Sequence, residues 1–270
     1  MDTSASGLED RLVRLLGLAE GELGRAARLV SLIFVLSASL VLLKSAQNGI
    51  FLLAYPQTMI PRAFFASAAL LSTTSMLLVP LAARLGAARL AMASMAGCAV
   101  AVLVLRLLLA LHVPFAPFIL YAVVETVAGV LLIQGWAVVS QATTPRSAKR
   151  LLPVAGAGAT VAWTVFGLLV PSVTHRLGAP FLLFIAPLML GVCIALVVAI
   201  RARDLPLASG KPRRRSMISE WRGAFAFLRS VPLMRVMTAL SILALLTEQL
   251  MDFLLMSSAY DRFRTADSCA

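Results

Sequence analysis

The first long apolar run of the chain, residues 29–53, reads LVSLIFVLSASLVLLKSAQNGIFLL. As an α-helix it is long enough to cross a bilayer, which takes about 20 apolar residues. One lysine, Lys44, lies well inside the run. A charge at that depth costs about 2.5–3.5 kcal/mol on insertion scales. Such a residue usually faces the interior of a helix bundle or a watery cavity, so Lys44 is a candidate functional residue.

The composition is that of a polytopic membrane protein. Of the 270 residues, 60% are hydrophobic and 13% are charged, which is more apolar surface than a soluble domain of this size needs. A formal net charge of +12 would suggest nucleic acid in a soluble protein. Here the basic residues cluster in short loops between apolar runs, so membrane topology explains them and we expect no nucleic-acid partner.

The apolar runs predict an all-α protein with seven spans. These lie at about 29–53, 63–83, 90–111, 116–139, 153–173, 180–200 and 233–256. Arginine and lysine crowd the N-terminal segment and every second loop, whereas the other loops offer only Arg62 and Arg176. The positive-inside rule therefore predicts a cytoplasmic N-terminus. We expect a multi-pass protein of a bacterial inner membrane.

Three segments lie outside the predicted spans. Residues 1–28 are predicted to form an amphipathic segment at the cytoplasmic membrane surface, with its leucines on one helical face. Residues 201–230 form a basic cytoplasmic loop, in which Ile218, Trp221, Phe225 and Leu228 predict an interfacial helix. Residues 257–270 form a tail. It follows the segment 231–256, which contains the seventh span.

Lys44 and Glu125 are the first candidates for a substrate site. Asn48 lies one helical turn after Lys44, and Tyr121 lies one turn before Glu125 in the fourth span. As functional groups, Lys44 would meet an anionic group of a substrate and Glu125 would face Lys44. The alternatives are a buried ion pair that fixes helix packing, a protonated glutamic acid, or a lysine that reaches the interface.

Glu248 and Asp252, four residues apart on the seventh span, form a second candidate site. They share a helical face, and two adjacent carboxylates in an apolar helix repel each other unless one is protonated or a cation is near. We interpret them as a coupling or substrate-orienting pair. The alternative is that this end of the helix enters the outer interface, where acids cost little.

No pattern in the sequence indicates an enzyme, a cofactor or a metal site. The small residues Gly156, Ala157 and Gly158 resemble a phosphate loop, but no strand precedes them and no Gly-Lys-Ser/Thr follows. We interpret them as a close helix contact. His112 and His175 both lie at predicted outer loops, and the cysteines have no metal-ligand spacing.

The stretch from Glu125 to Leu169 resembles the nucleotide (ATP/ADP) translocases, a branch of the major facilitator superfamily. The resemblance is carried by Gln134-Gly135-Trp136-Ala137, by a cytoplasmic turn Ser147-Ala148-Lys149-Arg150-Leu151-Leu152-Pro153, by Gly156-Ala157-Gly158, by Lys44, and by Thr247-Glu248-Gln249-Leu250-Met251-Asp252. It covers about residues 29–260, the first half of a family member. It implies a six-helix N-terminal half of a major facilitator-type bundle plus a seventh transmembrane helix. In that plan, spans one, four and seven line a central cavity.

The resemblance implies a transporter, or half of one, that moves an anionic solute by alternating access, with a nucleotide such as ATP or ADP as the candidate solute. Lys44 and Glu125 would be its substrate-binding charges, and a missing C-terminal half or a partner subunit would complete the cavity. Membrane lipid is the other expected partner. The alternatives are a non-transporting membrane scaffold or sensor module, and an inactive truncated gene product.

Overall fold

The computed structural model describes residues 22–204, 226 and 229–267. Within these residues the protein is all-helical, and seven helices are long and apolar enough to cross a membrane. They are α1 Leu23–Ala54, α2 Ile60–Leu85, α3 Ala87–Ala110, α4 Ala116–Gln141, α5 Pro145–Leu177, α6 Ala179–Arg203 and α7 Pro232–Asp267. The prediction of an all-α membrane protein with seven spans is confirmed.

Several helices extend beyond the predicted limits of their spans. α1 begins at Leu23, so the end of the predicted surface segment 1–28 belongs to the first span, and residues 1–21 lie outside the described part of the chain. α7 continues to Asp267 instead of ending at 256, because no glycine or proline interrupts residues 257–267. Most of the predicted interfacial helix within 201–230 also lies outside the described residues.

The prediction of a turn at Ser147–Pro153 is wrong, because these residues belong to α5. A capping box starts this helix: the Ser147 amide donates to Thr144 Oγ1, and the Thr144 amide donates to Ser147 Oγ. Pro145 occupies the first turn, where its missing N–H costs nothing. Pro153 lies inside the helix, as prolines often do in membrane helices.

α1 is the central helix of the bundle. It packs extensively against α4, α5 and α6. In its most apolar stretch 67% of the residues are buried, whereas the corresponding fraction for α2 is 6%. A helix surrounded on most sides must be apolar nearly all round, which explains the lack of a polar stripe along residues 29–43. α2 and α3 lie at the periphery on α4, and α3 also packs on α6.

Glycines permit the close approach of neighbours to α1. A Cβ on Gly158 of α5 would lie 3.0 Å from Val30 Cγ1 and 3.3 Å from the Val30 carbonyl oxygen. A Cβ on Gly135 of α4 would lie 2.5 Å from Leu36 Cδ2. The predicted close helix contact at Gly156–Gly158 is therefore present at Gly158, whereas Gly156 faces the Trp136 ring.

Arginine side chains connect helix ends at both sides of the bundle. Arg28 makes two hydrogen bonds to the Asp204 carboxylate at 2.8 and 2.9 Å, and Arg25 adds a third at 3.3 Å, which joins the start of α1 to the end of α6. Arg106 of α3 donates to the Pro180 carbonyl oxygen at 2.6 Å and stacks on the Phe184 ring. Arg106 thus connects α3 to α6, a role its position near the end of a span did not indicate.

The close contact at Gly158 predicts that a methyl group added to α5 affects stability differently at Gly158 and at Gly167. Gly158→Ala should lower the free energy of unfolding by about 1–3 kcal/mol, because the backbone of α1 must move to admit the methyl group. Gly167→Ala on the same helix meets nothing within 4 Å and should be neutral or stabilising by up to about 1 kcal/mol. Thermal unfolding in detergent measures both. Equal effects would contradict the close packing of α5 on α1.

The Asp204 contact predicts a pH-dependent contribution to stability. Burial would raise the pKa of the Asp204 carboxyl, but hydrogen bonds from Arg28 and Arg25 outweigh it and hold the pKa below its usual range. Asp204→Asn should therefore cost about 2 kcal/mol at pH 7. This difference should be complete above the unfolded-state pKa of about 3.9 and should vanish as the pH falls through the lower folded-state pKa.

Melting temperatures of the wild type and Asp204→Asn between pH 7 and pH 3 test this expectation. The exposed Glu248 provides the control, because Glu248→Gln should leave the melting temperature nearly unchanged at pH 7. A difference between wild type and Asp204→Asn that stays constant down to pH 3 would show that the carboxylate charge is not the stabilising element.

Candidate functional site

Three of the charged residues inside the bundle meet at one place. Lys44 Nζ of α1 lies 3.4 Å from Glu125 Oε2 of α4 and 3.9 Å from Asp252 Oδ2 of α7. The side chains are 18%, 16% and 37% exposed, respectively, so each retains some access to the surrounding space. The sequence analysis placed Glu125 opposite Lys44 and assigned Asp252 to a second candidate site, and the structure brings all three together in one ionic cluster.

The cluster lies at a depth where charges need partners. Lys44 is ten residues from the end of α1, and Glu125 is nine residues from the start of α4. At 1.5 Å per residue both are about 14–15 Å from the same side of the bundle, which is about half of the hydrocarbon core. Equal depth on antiparallel neighbours explains why the two side chains reach each other.

Gln47 holds Glu125 from a second direction. Its side chain is completely buried, and its Nε2 donates to Glu125 Oε1 at 2.8 Å and more weakly to Asn48 Oδ1 at 3.3 Å. Each carboxylate oxygen of Glu125 thus has its own partner on α1, because Oε2 faces Lys44. This arrangement fixes the orientation of the carboxylate.

The oxygen of the same amide, Gln47 Oε1, is buried without a hydrogen-bond partner in the described part of the chain. A buried acceptor of this kind costs free energy unless a donor reaches it. It belongs to the same side chain whose amide nitrogen holds Glu125. Gln47 had no assigned role from the sequence, although a neutral amide three residues after Lys44 in an apolar helix was the available signal.

Large apolar side chains cover the cluster on the side of the bundle where α1 ends and α4 begins, which we call the outer side. Phe51, Tyr121 and Met256 are buried there, each one or two turns further out than Lys44, Glu125 and Asp252. The rings of Phe51 and Tyr121 lie 4.8 Å apart, and Phe64 lies 6.0 Å from Tyr121. We call this group the outer aromatic cluster; its further members are Ile60, Ala63, Tyr55 and Phe118. Tyr121, a predicted substrate ligand, is packed into this cover.

α7 joins the bundle near Asp252 and little elsewhere. Met256 is 4% exposed and packs in the outer aromatic cluster, with Phe253 beside it. From Leu233 to Leu250 the large apolar side chains of α7 are exposed except for the half-buried Met234, and Glu248 is exposed as well. The structure therefore separates the two predicted acids of this helix: Asp252 reaches Lys44, and Glu248 faces away from the described part of the bundle.

The donor set suits ion pairing and hydrogen bonding. Among the residues described here, no group of three or more histidine, cysteine, aspartate or glutamate side chains is placed to hold a metal ion. The ionic cluster contains one cation and two carboxylates, and Lys44 lies between them. Asp252 can leave Lys44 while Glu125 stays, so the lysine can take up another anion without becoming isolated.

Comparison of the chain with protein-family models, with curated proteins and with solved structures gives no match.

The cluster predicts unequal effects of neutralising its members. Lys44→Met should lower the free energy of unfolding by about 3 kcal/mol, because two carboxylates then face each other inside the bundle without a cation. Glu125→Gln should cost less, because Asp252 still neutralises Lys44 and the new amide can still bond to Gln47. The double variant Lys44→Met/Glu125→Gln should recover part of the lysine penalty.

Denaturant or thermal unfolding in detergent measures this double-mutant cycle. Glu248→Gln is the matched control for Asp252→Asn on α7, since of these two acids Asp252 contacts Lys44 and Glu248 is exposed. A coupling energy near zero between Lys44 and Glu125 would show that their contact does not contribute to stability.

Proposed function

We propose that this chain forms part of a membrane transporter that moves an anionic solute, with Lys44 as the residue that binds the anion. The observation that carries the proposal is the position of Lys44, held between two carboxylates deep inside a membrane bundle. Ionisable residues inside membrane helices most often mark substrate or ion pathways. A purely structural ion pair would need only one carboxylate.

Binding of the solute exchanges one partner of Lys44 for another. Asp252 is the more distant and more exposed of the two carboxylates, so an incoming anionic group replaces it at the lower cost. Glu125 stays in place, because Gln47 also holds it. A phosphate would form charge-assisted hydrogen bonds with the ammonium group of Lys44.

This exchange links binding to movement of α7. Asp252 and the packing of Met256 are the main attachments of α7 near the site. When the solute takes the place of Asp252, α7 loses its ionic contact with α1, and the outer aromatic cluster loses one of the helices that close it. The solute thus favours opening of the outer side, which is the coupling that alternating access requires.

The resemblance to nucleotide translocases makes ATP and ADP the first solutes to test. It also supports a major facilitator arrangement, in which α1, α4 and α7 surround the central cavity. The three members of the ionic cluster come from these three helices. A C-terminal half or a partner subunit on the exposed side of α7 would complete such a cavity.

Nucleotide binding is expected to depend on Lys44. Purified protein in detergent should show an increase in melting temperature with ATP or ADP, and Lys44→Met should weaken the apparent affinity by about tenfold or more, because a charge-assisted hydrogen bond contributes about 1.5–3 kcal/mol. Lys44→Arg keeps the charge and should retain part of the affinity. Glu248→Gln, which changes an exposed acid of α7, should bind as the wild type does.

Exchange of labelled ATP into proteoliposomes loaded with ADP then tests transport. Exchange that is lost in Lys44→Met and in Glu125→Gln but kept in Glu248→Gln would support the proposal. Nucleotide binding without exchange would favour a sensor module. If the protein neither binds nor exchanges any tested phosphate compound, the proposal of an anionic solute is rejected. Uptake that is unaffected by Lys44→Met would reject the role of Lys44.

A further inference from the structure

A cleft between α2, α3 and α4 lies apart from the ionic cluster. It consists of two cavities of about 520 and 340 Å³ that share Leu78 and Val130 in their walls. α2 and α3 contact each other much less than either contacts α4, so the cleft opens between them. Both helices are peripheral, because only 6% of the most apolar stretch of α2 and 17% of that of α3 are buried. The cleft therefore opens sideways, toward the region that lipid occupies in a membrane.

One buried amide in this apolar cleft lacks a partner. Gln134 is 7% exposed and lies in the wall of the larger cavity. Its Nε2 donates to Ser94 Oγ at 3.0 Å, and Ser94 lines the smaller cavity. Gln134 Oε1 is buried without a hydrogen-bond partner among the residues that the structure describes. An unpaired amide atom at the junction of two cavities indicates a ligand that supplies the missing hydrogen bond.

The Gln134–Ser94 pair can serve a ligand that only accepts hydrogen bonds. A side-chain amide can exchange its two ends by rotation, and a serine hydroxyl can either donate or accept. With the amide rotated, Ser94 donates to Oε1, and Nε2 takes the unpartnered position in the wall of the larger cavity. The pair therefore offers an N–H group to a carbonyl oxygen, surrounded by apolar walls.

The depth of Gln134 matches the position of a lipid ester. Gln134 is seven residues before the end of α4, about 10 Å along the helix. From Gln134 to Val123, at the far end of the smaller cavity, is eleven residues or about 16 Å. The hydrocarbon of one leaflet is about 15 Å thick. An acyl chain whose ester carbonyl lies at Gln134 would thus follow the cleft toward the bilayer centre.

An exposed arginine lies at the level of the turn that ends the cleft. This is the turn between α2 and α3, with Gly86 and Ala87 in the wall. Arg89 is exposed, and it precedes Leu90, another wall residue. A guanidinium group at this level is suited to bind a phosphate. The same turn is on the side of the bundle that charge asymmetry predicts to be cytoplasmic.

We propose that this cleft binds one glycerophospholipid of the cytoplasmic leaflet. Its ester carbonyl accepts a hydrogen bond from Gln134, one acyl chain lies along α4 between α2 and α3, and its phosphate lies near Arg89. The lipid fills a space that the protein leaves open and satisfies the amide.

The test compares two lipids that differ only at the carbonyl. Delipidated full-length chain is titrated with dioleoyl phosphatidylglycerol and with its diether analogue, which has no ester carbonyl, and binding is followed by native mass spectrometry and by melting temperature. The diester should bind about tenfold more tightly than the diether, the amount expected for one hydrogen bond in an apolar site. Gln134→Leu should remove this difference while the protein still folds, because leucine fits an apolar wall.

Two further variants sharpen the result. Ala137→Phe places a ring in the larger cavity and should weaken both lipids, whereas Gln141→Leu changes an exposed amide at the end of the same wall and should keep the preference for the diester. Phosphatidylethanolamine in place of phosphatidylglycerol tests whether the headgroup beyond the phosphate matters. Equal affinity of diester and diether for the wild type, or a preference that persists in Gln134→Leu, would overturn the proposal.

Discussion

The contact between Lys44 and Glu125 sets the height of α1 relative to its neighbours. α1 is surrounded by α4, α5 and α6, so a charge on it can be neutralised only by a residue that another helix brings to the same depth. Glu125 does so, with Gln47 as its second partner. Further along, Leu36 fits against Gly135 and Val30 against Gly158. A shift of α1 by one turn would break the ionic contact and both close contacts together.

The two carboxylates around Lys44 are held very differently. Glu125 belongs to a well-packed helix and is bonded through both of its oxygens. Asp252 belongs to a helix that contacts the described bundle mainly near its outer end. A fixed partner and a replaceable partner on one cation are what a binding site needs if it is to remain neutralised both with and without its solute. This difference in attachment is the structural basis for the proposed exchange.

The helices and the depths of the charges could be predicted from the sequence, whereas the contacts among them could not. Apolar runs and the cost of burying charge identified Lys44, Glu125 and Asp252, because those arguments need only distance from a helix end. Glu248 shares a face with Asp252, and only the docking of Met256 and Phe253 distinguishes the two. The roles of Gln47 and Arg106 depend on neighbours from other helices. Ser147–Pro153 is helical because a capping box starts the helix at Thr144, and the prediction of a turn did not take this local signal into account.

α1 also leaves the ribosome before α4 and α7, which carry Glu125 and Asp252. At synthesis rates of about 5–20 residues per second, Lys44 waits several seconds for its first carboxylate. During that time the helix must enter the membrane with an unpaired charge. Each leucine, isoleucine, valine or phenylalanine favours insertion by about 0.3–0.6 kcal/mol. Residues 29–53 contain many of these side chains, which together offset the insertion cost of Lys44. The apolar excess of α1 thus allows co-translational insertion before the partner that neutralises it has been made.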